Sequence, residues 1–478
     1  MRVFILRTAI TKFLNVEEEE YSFDEFISRC AAYWRNYLGE DYFVADFIPA
    51  NLTWMRAYDR MCKEGTLRKD DDAKTLVSFV DQRFRYEILM EYGVLSRIGR
   101  TLEKAGCSVL SFDFEKAIPT IMERVANEVG RLQSVGADTF YKLIMGVLYQ
   151  MKINGAFTYY VFEQFIQTGG NYYMLSNERR KWLPGVNRGL NVPKFVGINK
   201  GGKKMKGFEL PNSRSWYGRW IDKYLPEFSL ESDSFDIMKI ILEELTNTGV
   251  LKVTATPDSV DVYSINPEKC KVTRSVKQMV CDVCGSQISL SGENAAIFEG
   301  ACCTRYDCSG HLHISDESDL DFYGKIYSQG ELVRIVAKEH TGLLERDDRE
   351  ELERIFKKPK EDKKPWDANL LSCTPTLEMG IDIGDLSTVI LSSIPPAQAN
   401  YAQRAGRGGR KDGNALTVAV ANARSHDLYF YQDPMEMIAG AVEPPKVFLQ
   451  ASAVLERQFT AYCMDCWVKM EVHLFHKM

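Results

Sequence analysis

Long apolar segments are missing from this sequence of 478 residues. No window approaches the ~18–20 consecutive apolar residues that a membrane-spanning helix needs. The N-terminal run Met1–Arg7 is too short for the apolar core of a secretory signal peptide. A positive overall charge is also missing, because the formal net charge is −6. These absences predict a cytoplasmic protein with no membrane partner, in which any binding of nucleic acid depends on local basic patches.

The phosphate-binding motif G-x-x-x-x-G-K-[ST] is absent as well. The segment Gly201–Gly207 is rich in glycine and lysine, but it lacks the spacing, the closing Ser or Thr and a preceding strand. The backbone N–H groups of such a motif cradle the phosphates of ATP, while an acidic pair holds Mg²⁺. The sequence is therefore predicted to lack a complete ATP site of this type.

Cysteine, in contrast, is plentiful, with twelve residues in a chain that has no secretory signal. Such usage indicates a reducing compartment and metal binding rather than disulfides. Four thiolates from two tight turns suit tetrahedral Zn²⁺ and leave no open position for catalysis. We predict a structural zinc ribbon with four ligands: Cys281, Cys284, Cys303 and Cys308. Two alternatives have similar spacing: Cys302 in place of Cys303, and His311 or His313 in place of Cys308.

A basic segment without acidic residues extends from Arg179 to Gly207. Its glycines, and the rings of Trp182 and Phe195, suit a flexible loop in which cations contact phosphates and rings stack on bases. We predict nucleic-acid contacts by five of its cations: Arg179, Arg180, Lys203, Lys204 and Lys206. A solvated basic loop without a ligand is the competing interpretation.

A helix followed by two short strands is predicted just after this segment. Ser234–Leu251 has helical periodicity, with a polar start and a glycine near its end. The apolar runs Lys252–Thr256 and Val260–Ser264 follow, separated by a Pro-Asp turn. This order is the outline of a winged-helix-like domain.

Residues 1–170 are predicted to be mainly helical. One amphipathic run extends from Phe84 to Lys104 and would place Arg97, Arg100 and Lys104 on one helical face. We favour ion pairs for these cations over contacts with DNA. The candidate partners are Glu87, Glu91 and Glu103.

The most informative stretch is Gln403–Arg410, in which arginines are spaced by glycines. The guanidinium group is always charged, and its planar fork matches phosphate oxygens. Upstream, Leu370–Gly384 contains an apolar strand, a polar turn, a glycine and an acid. Two more apolar runs, Thr388–Ser393 and Ala415–Ala421, flank the arginines, and strands alternating with helices imply a parallel sheet.

In this order and spacing, Thr374–Gly384 resembles motif V and Gln403–Arg410 resembles motif VI of superfamily 2 helicases of the DEAD/DEAH-box type. Both motifs belong to the second RecA-like domain of that family. The run Tyr92–Lys104 is in turn similar to the large helicases of Druantia-type bacterial antiphage defence systems. The resemblance implies an ATP-dependent helicase or translocase.

The same resemblance implies roles for individual residues in the nucleotide cleft. Arg407 and Arg410 would contact the γ-phosphate of ATP, with Arg410 as the arginine finger. Gln403 would lie in the same cleft, and Gly380 and Asp382 would lie beside the nucleotide. Mg²⁺ would accompany the ATP.

Two partners are also implied. Thr374 would contact the backbone of a nucleic acid, with DNA preferred. The missing P-loop would come from a first RecA-like domain, either upstream or on another chain, so this chain would be inactive alone. A non-catalytic nucleic-acid-binding scaffold that keeps a RecA-like fold is the alternative function.

The predicted fold is an α/β RecA-like parallel-sheet domain preceded by three other domains. The boundaries are 1–170 for the helical domain, 171–265 for the basic loop and winged-helix-like domain, 266–320 for the zinc ribbon, 321–450 for the RecA-like domain, and 451–478 for the start of a further helical region.

Overall fold

A computed structural model describes most of the chain: residues 2–16, 20–129, 135–199, 207–226, 231–315, 320–331, 333–374, 384, 386–410, 413–440 and 451–475. The chain divides into two compact units. The N-terminal unit is Met1–Val336 with Lys363–Leu370, and the C-terminal unit is Ala337–Asp362 with Leu371–Met478. Within the described ranges, no helix is long and apolar enough to cross a membrane.

The helices of the N-terminal unit, among the residues described, are α1 Arg2–Val16, α2 Phe23–Phe47, α3 Arg56–Glu64, α4 Asp71–Tyr92, α5 Ile118–Val129, α6 Ala137–Ile153, α7 Tyr160–Gln167, α8 Trp216–Tyr224, α9 Glu231–Asn247, α10 Gly292–Phe298 and α11 Phe322–Gln329. Local signals explain several of their starts. Ser22, for example, accepts a hydrogen bond from the Glu25 N–H at 3.3 Å, and the Glu25 carboxylate accepts one from the Ser22 N–H. This capping box fixes the first turn of α2.

The predicted helix from Phe84 to Lys104 is wrong beyond Tyr92, where α4 ends. Gly93 has non-helical backbone angles, with φ −96° and ψ −124°. The chain then turns back, because the Leu102 N–H donates to the buried carboxylate of Glu91 at 3.0 Å. The amphipathic pattern could not reveal this tertiary hydrogen bond.

Antiparallel strands accompany these helices, and we list them as β1 Val109–Phe112, β2 Val196–Asn199, β3 Leu251–Ala255, β4 Val260–Ile265, β5 Cys270–Thr273, β6 Val276–Cys281, β7 Gln287–Ser291, β8 Ala301–Cys302 and β9 His311–Ile314. β1 pairs with β5. In another sheet the order is β2-β4-β3. The hairpin β3-β4 was predicted from the sequence, whereas β2, which pairs with β4, was not. A further sheet has the order β7-β6-β9-β8.

One apolar core runs through the N-terminal unit, from Ile5 in α1 to Trp366 in the returning segment. Its aromatic rings pack closely, and the centroids of Phe47 and Phe84 are 4.6 Å apart. The segments predicted as three domains, 1–170, 171–265 and 266–320, therefore contribute to a single core. The predicted domain boundaries at residues 170 and 265 remain predictions, and both lie within one compact unit.

The C-terminal unit has an α/β composition. Its described elements are β10 Ala337–His340, α12 Arg346–Phe356, β11 Leu370–Cys373, β12 Thr388–Leu391, α13 Gln398–Ala405, β13 Leu416–Ala419, α14 Ser425–Gln432, α15 Pro434–Ile438 and α16 Ser452–Phe475. β12 and β13 are parallel, with Val389 opposite Thr417, and α13 forms the crossover between them. This pairing confirms the predicted parallel arrangement. The unit begins at Ala337, whereas the predicted RecA-like boundary was residue 321.

Candidate functional site

The arginine loop, Gly406–Arg410, follows directly on α13. Its first turn continues the helix, since the Gly408 N–H donates to the carbonyl oxygen of Ala405 at 3.0 Å. The Gly409 N–H then donates to the Leu386 carbonyl oxygen at 2.9 Å, two residues before β12 begins. The loop backbone is therefore fixed to the start of a sheet strand.

Two glycines make this close approach possible. A Cβ on Gly408 would lie 2.7 Å from the Cβ of Ala415, closer than two carbon atoms tolerate. Gly409 has φ +65° in the left-handed region, and a Cβ there would lie 3.0 Å from the carbonyl carbon of Gly413. The glycines thus fix the backbone path on which the two arginines are presented.

The side chains of the loop lie at the surface of the unit. Gln403 and Arg410 are exposed, and Arg407 is half-buried. The Nε of Arg410 donates to the Gly406 carbonyl oxygen at 3.3 Å. This arrangement orients a permanently charged guanidinium on a rigid backbone, as recognition of a phosphate group requires.

The remaining predicted residues of this unit are Thr374, Gly380 and Asp382. Thr374 follows β11 directly and is exposed. Gly380 and Asp382 lie outside the described residues. The contacts predicted for these three with nucleotide and nucleic acid therefore stay predictions.

A cluster of four cysteines lies in the N-terminal unit, at one end of the sheet that contains β6. The Sγ atoms of Cys281 and Cys308 are 3.6 Å apart, and those of Cys284 and Cys303 are 3.7 Å apart. All four lie within 4.8 Å of one another. Because Zn–S bonds are about 2.3 Å long, a tetrahedral site places its sulfurs about 3.8 Å apart. The observed spacing fits a zinc ion.

Backbone groups complete the surroundings of the sulfurs. The Arg305 N–H donates to the Cys303 Sγ at 3.4 Å, and the Gly310 N–H donates to the Cys308 Sγ at 3.4 Å. A Cβ on Gly310 would lie 2.6 Å from the Sγ of Cys281. A backbone hydrogen bond from Ser286 lowers the pKa of the Cys284 thiol to about 6, whereas burial raises the pKa of Cys303 to about 12.

Lys223 supports the cysteine cluster through hydrogen bonds, a role that no sequence motif predicts. Its Nζ, at the end of α8, donates to the carbonyl oxygens of Cys303, Arg305 and Cys308 at 2.8 Å each. The indole N–H of Trp216, at the start of α8, donates to the Thr304 carbonyl oxygen at 2.9 Å. Residues at both ends of α8 thus hold the turn that contains Cys303 and Cys308, here named the second cysteine turn.

The alternative ligands are positioned differently. The Cys302 N–H donates to the hydroxyl of Tyr224 at 2.9 Å, and its thiol is not among the four grouped sulfurs. The Nδ1 of His313 lies 2.8 Å from a carboxylate oxygen of Glu299. His311 is exposed and also stays outside the group. The structure therefore brings together Cys281, Cys284, Cys303 and Cys308.

The prediction that Trp182 and Phe195 stack on bases is wrong, because both rings are buried. Trp182 packs against Tyr86 with ring centroids 5.9 Å apart. Of the predicted cations, Arg179 is exposed, while Arg180 donates to the Val161 carbonyl oxygen at 3.2 Å. The other three, Lys203, Lys204 and Lys206, lie outside the described residues.

Comparison with known proteins identifies the class of the C-terminal unit. Residues 316–412 match the family model described as the helicase conserved C-terminal domain. Together with the parallel strands and the arginine loop, this match assigns residues 316–412 to the helicase C-terminal (RecA-like) class of superfamily 2.

Among individual proteins, the chain is similar to Druantia protein DruE of Escherichia coli, with 33% identity over 150 residues, or 29% of this chain and 8% of that protein. It is also similar to ATP-dependent helicase HRQ1 of Saccharomyces cerevisiae, with 37% identity over 65 residues, or 14% of this chain and 6% of that protein. The matched regions are thus less than a tenth of either relative.

One solved structure is similar at the level of sequence. The DUF1998 helicase MrfA bound to DNA and AMPPNP is 25% identical over 28% of this chain and 18% of that chain. Its TM-score of 0.23 is too low for the superposition to support an argument.

Proposed function

We propose that the C-terminal unit is the second RecA-like domain of an ATP-dependent helicase or translocase that acts on nucleic acid, with DNA preferred. The observation that carries this proposal is the arginine loop, whose backbone is fixed to β12 while Arg410 stays exposed. In the proposed role, Arg407 and Arg410 contact the γ-phosphate of ATP, and Gln403 contributes to the same cleft. Gly380 and Asp382 lie beside the nucleotide.

An arginine suits this role because negative charge is spread over the γ-phosphate oxygens as the phosphoryl group transfers. A guanidinium held on a rigid loop stabilises that charge without having to reorganise. Such arginine fingers contribute about 10³–10⁵-fold to the rate in related enzymes. Arg410 is the proposed finger, and Thr374 is the proposed contact to the nucleic-acid backbone.

The proposal requires a partner domain that supplies the P-loop and the acidic residues for Mg²⁺, since these 478 residues contain no G-x-x-x-x-G-K-[ST] motif. That domain would face the arginine loop across the bound ATP. Closure of the two domains on ATP, and release after hydrolysis, would shift the grip on the nucleic acid.

The test is ATP hydrolysis with and without single-stranded DNA. This chain is assayed alone, and then joined to or mixed with the P-loop domain of the same system, in each case with and without Arg410→Ala. We expect DNA-stimulated activity only when both domains are present, and its loss in the variant. Full activity that does not depend on Arg410 would instead support the scaffold function for this unit.

We also propose that Cys281, Cys284, Cys303 and Cys308 hold a structural Zn²⁺. The sulfur spacing, the N–H···S hydrogen bonds and the glycine at position 310 support this assignment. The ion would cross-link the turn after β6 to the turn before β9. Metal analysis of the purified chain should find about one zinc per molecule.

A winged-helix-like domain is the proposed assignment for α8, α9 and the strands β2, β3 and β4. The hairpin β3-β4 directly follows α9, and β2 adds to the outer side of β4. The nucleic-acid contacts proposed for this region are those of the basic segment: Arg179, Arg180, Lys203, Lys204 and Lys206.

A further inference from the structure

The segment Gly93–Lys104, here named the cationic loop, connects α4 to β1 in the N-terminal unit. It carries three cations, Arg97, Arg100 and Lys104. Arg100 and Lys104 are exposed, and Arg97 is half-buried. The loop thus presents three positive charges within eight consecutive residues.

The ion pairs predicted for these cations are wrong, because the acids already have other partners. Glu91 and Glu103 are buried, so their carboxylates point away from the loop surface. The observed pairs are Glu87 with Arg83 at 2.8 Å, Glu91 with Arg7 at 2.8 Å, and Glu103 with Lys152 at 2.5 Å. Within the described part of the chain, no carboxylate forms a salt bridge with Arg97, Arg100 or Lys104.

Buried groups hold the backbone of the cationic loop. The hydroxyl of Tyr327 donates to the Arg100 carbonyl oxygen at 2.8 Å. The side-chain amide of Gln278 donates to the Glu103 carbonyl oxygen at 3.0 Å. Within the loop, the Nζ of Lys104 donates to the Arg97 carbonyl oxygen at 2.8 Å. The backbone of the loop and the Lys104 ammonium are therefore held before any ligand binds, which lowers the entropy cost of binding.

The local electrostatics favour an anion. Partial burial and the nearby Arg100 lower the pKa of Lys104, so a bound anion would relieve repulsion between the two cations. Two acids act on these cations from nearby: Glu103 offsets part of the shift of the Lys104 pKa, and Glu209, which forms an ion pair with Lys194 at 3.6 Å, interacts with Arg97. Gly99, with φ +75°, lies between the two arginines and presents no side chain that would block a close ligand.

The other candidate surface, α9, is poorly suited to phosphate. Its exposed or half-exposed positions include two acids, Asp236 and Glu243, and one cation, Lys239, whose Nζ lies 3.9 Å from the carboxylate of Glu243. Arg124 from α5 also contacts this helix, with its Nη2 3.1 Å from the carboxylate of Glu243. A helix with acids on its open face would repel a phosphate backbone.

We propose that the cationic loop binds the phosphate backbone of a nucleic acid through Arg97, Arg100 and Lys104. This inference rests on the proposed function only in taking nucleic acid as the ligand of the protein. Each guanidinium group can donate two parallel hydrogen bonds to one phosphate, and Lys104 adds a point charge. Binding of this kind reads no sequence and weakens with salt.

The test is binding of the full chain to a short labelled DNA of mixed sequence, single-stranded and duplex, measured by fluorescence anisotropy over a range of salt concentrations. The variant carries Arg97→Gln, Arg100→Gln and Lys104→Gln together. We expect its affinity at low salt to fall by about tenfold or more, and its log–log salt slope to decrease by about 3. Thermal unfolding should confirm that it remains folded.

A matched control removes the same charge from three exposed cations of the same unit that have no described ion pair: Arg56→Gln, Lys116→Gln and Lys269→Gln. Equal losses in the two triple variants, or no binding by the unmodified chain, would overturn the proposal. Polyglutamate is added in a separate competition experiment. If it displaces the DNA as well as unlabelled DNA of the same total charge does, the loop has no preference for phosphate and the proposal is overturned. The assay contains no ATP, so the measured DNA affinity can be interpreted even if the proposed ATP-dependent activity proves wrong.

Discussion

The cysteine cluster and the arginine loop differ in how they position their functional side chains. In the cysteine cluster, the four sulfurs face one another and backbone N–H groups point at them. In the arginine loop, backbone hydrogen bonds fix the path of the chain, and the Arg410 side chain is exposed, with its Nε donating to the Gly406 carbonyl oxygen. The first arrangement is that of the proposed structural zinc site, whereas the second exposes the guanidinium that we propose contacts ATP.

The physical reason is the cost of burying charge. Four thiolates at this spacing repel one another unless a cation lies between them, so the proposed zinc ion would stabilise the closed arrangement of the cluster. A guanidinium that is to contact a phosphate loses less hydration energy if it stays at the surface until that phosphate binds. The comparison therefore predicts that mutations in the cluster reduce stability, and that mutations in the arginine loop reduce activity alone.

The largest effect is expected from Cys303→Ser, because Cys303 is fully buried and its sulfur is a proposed zinc ligand. The zinc content should fall from about one ion per chain to nearly none, with a loss of at least about 3 kcal/mol of folding free energy. Metal analysis and denaturant unfolding measure the two quantities. Cys302→Ser is the matched control, and equal zinc loss in both variants would contradict the assignment.

Arg410→Ala should produce the opposite pattern. With the P-loop domain present, ATP hydrolysis should fall about 10³-fold or more, because the charge on the transferring phosphoryl group loses its stabilising partner. The melting temperature should be unchanged, since the side chain is exposed. The exposed Arg424 of the same unit supplies the control variant, Arg424→Ala. A similar loss of activity in both would show a non-specific charge effect.

Lys223→Met should have an intermediate effect on the cluster. Three carbonyl oxygens of the second cysteine turn would lose a charged donor, at a cost of about 2 kcal/mol. Zinc should remain bound but be removed faster by a chelator, as measured by release to a coloured indicator. Lys239→Met on α9 is the comparison variant. Unchanged release kinetics would mean that α8 does not brace the site.

The smallest effect is expected from replacing Asp427, which forms hydrogen bonds with the chain segments after β12 and β13. Its carboxylate accepts hydrogen bonds from the Asn422 N–H at 2.9 Å and the Ile394 N–H at 3.3 Å. The Asn422 N–H in particular, with help from His426, lowers the pKa of Asp427.

A lowered pKa means that this carboxylate stabilises the fold above its unfolded pKa, and that the contribution is lost as the pH falls through the folded value. Asp427→Ala should therefore melt a few degrees lower at neutral pH, and the difference should shrink in acid. Melting curves measured across this pH range provide the check. A difference that grows in acid would contradict the assigned role.

Much of the local structure could be predicted from sequence. Periodicity and turn residues predicted the helix and hairpin now seen as α9, β3 and β4, with small errors at the ends. Alternating apolar runs predicted the parallel pair β12 and β13. These predictions succeeded because they depend on neighbours along the chain, where side-chain period and backbone conformation are directly linked.

Predictions that depended on distant residues failed. Trp182 was expected to stack on bases, yet it is buried against Tyr86, almost a hundred residues earlier in the chain. Glu91 was expected to pair with a nearby cation, yet it pairs with Arg7. Nothing in the local pattern distinguishes an aromatic ring or an acid that binds a ligand from one that packs in a core.

By itself, the sequence determined the helicase C-terminal class of residues 316–412, because segments resembling motifs V and VI occur in it in the order and spacing of that family. It also determined the four cysteines as candidates, through their spacing. Only the tertiary structure decided between Cys302 and Cys303 as members of the cluster, placed Lys223 behind it, and left the cations of the cationic loop without acidic partners. These outcomes depend on which groups, distant in the sequence, lie next to a given side chain in the folded protein. Those neighbours are set by the packing of the whole core and not by the local sequence.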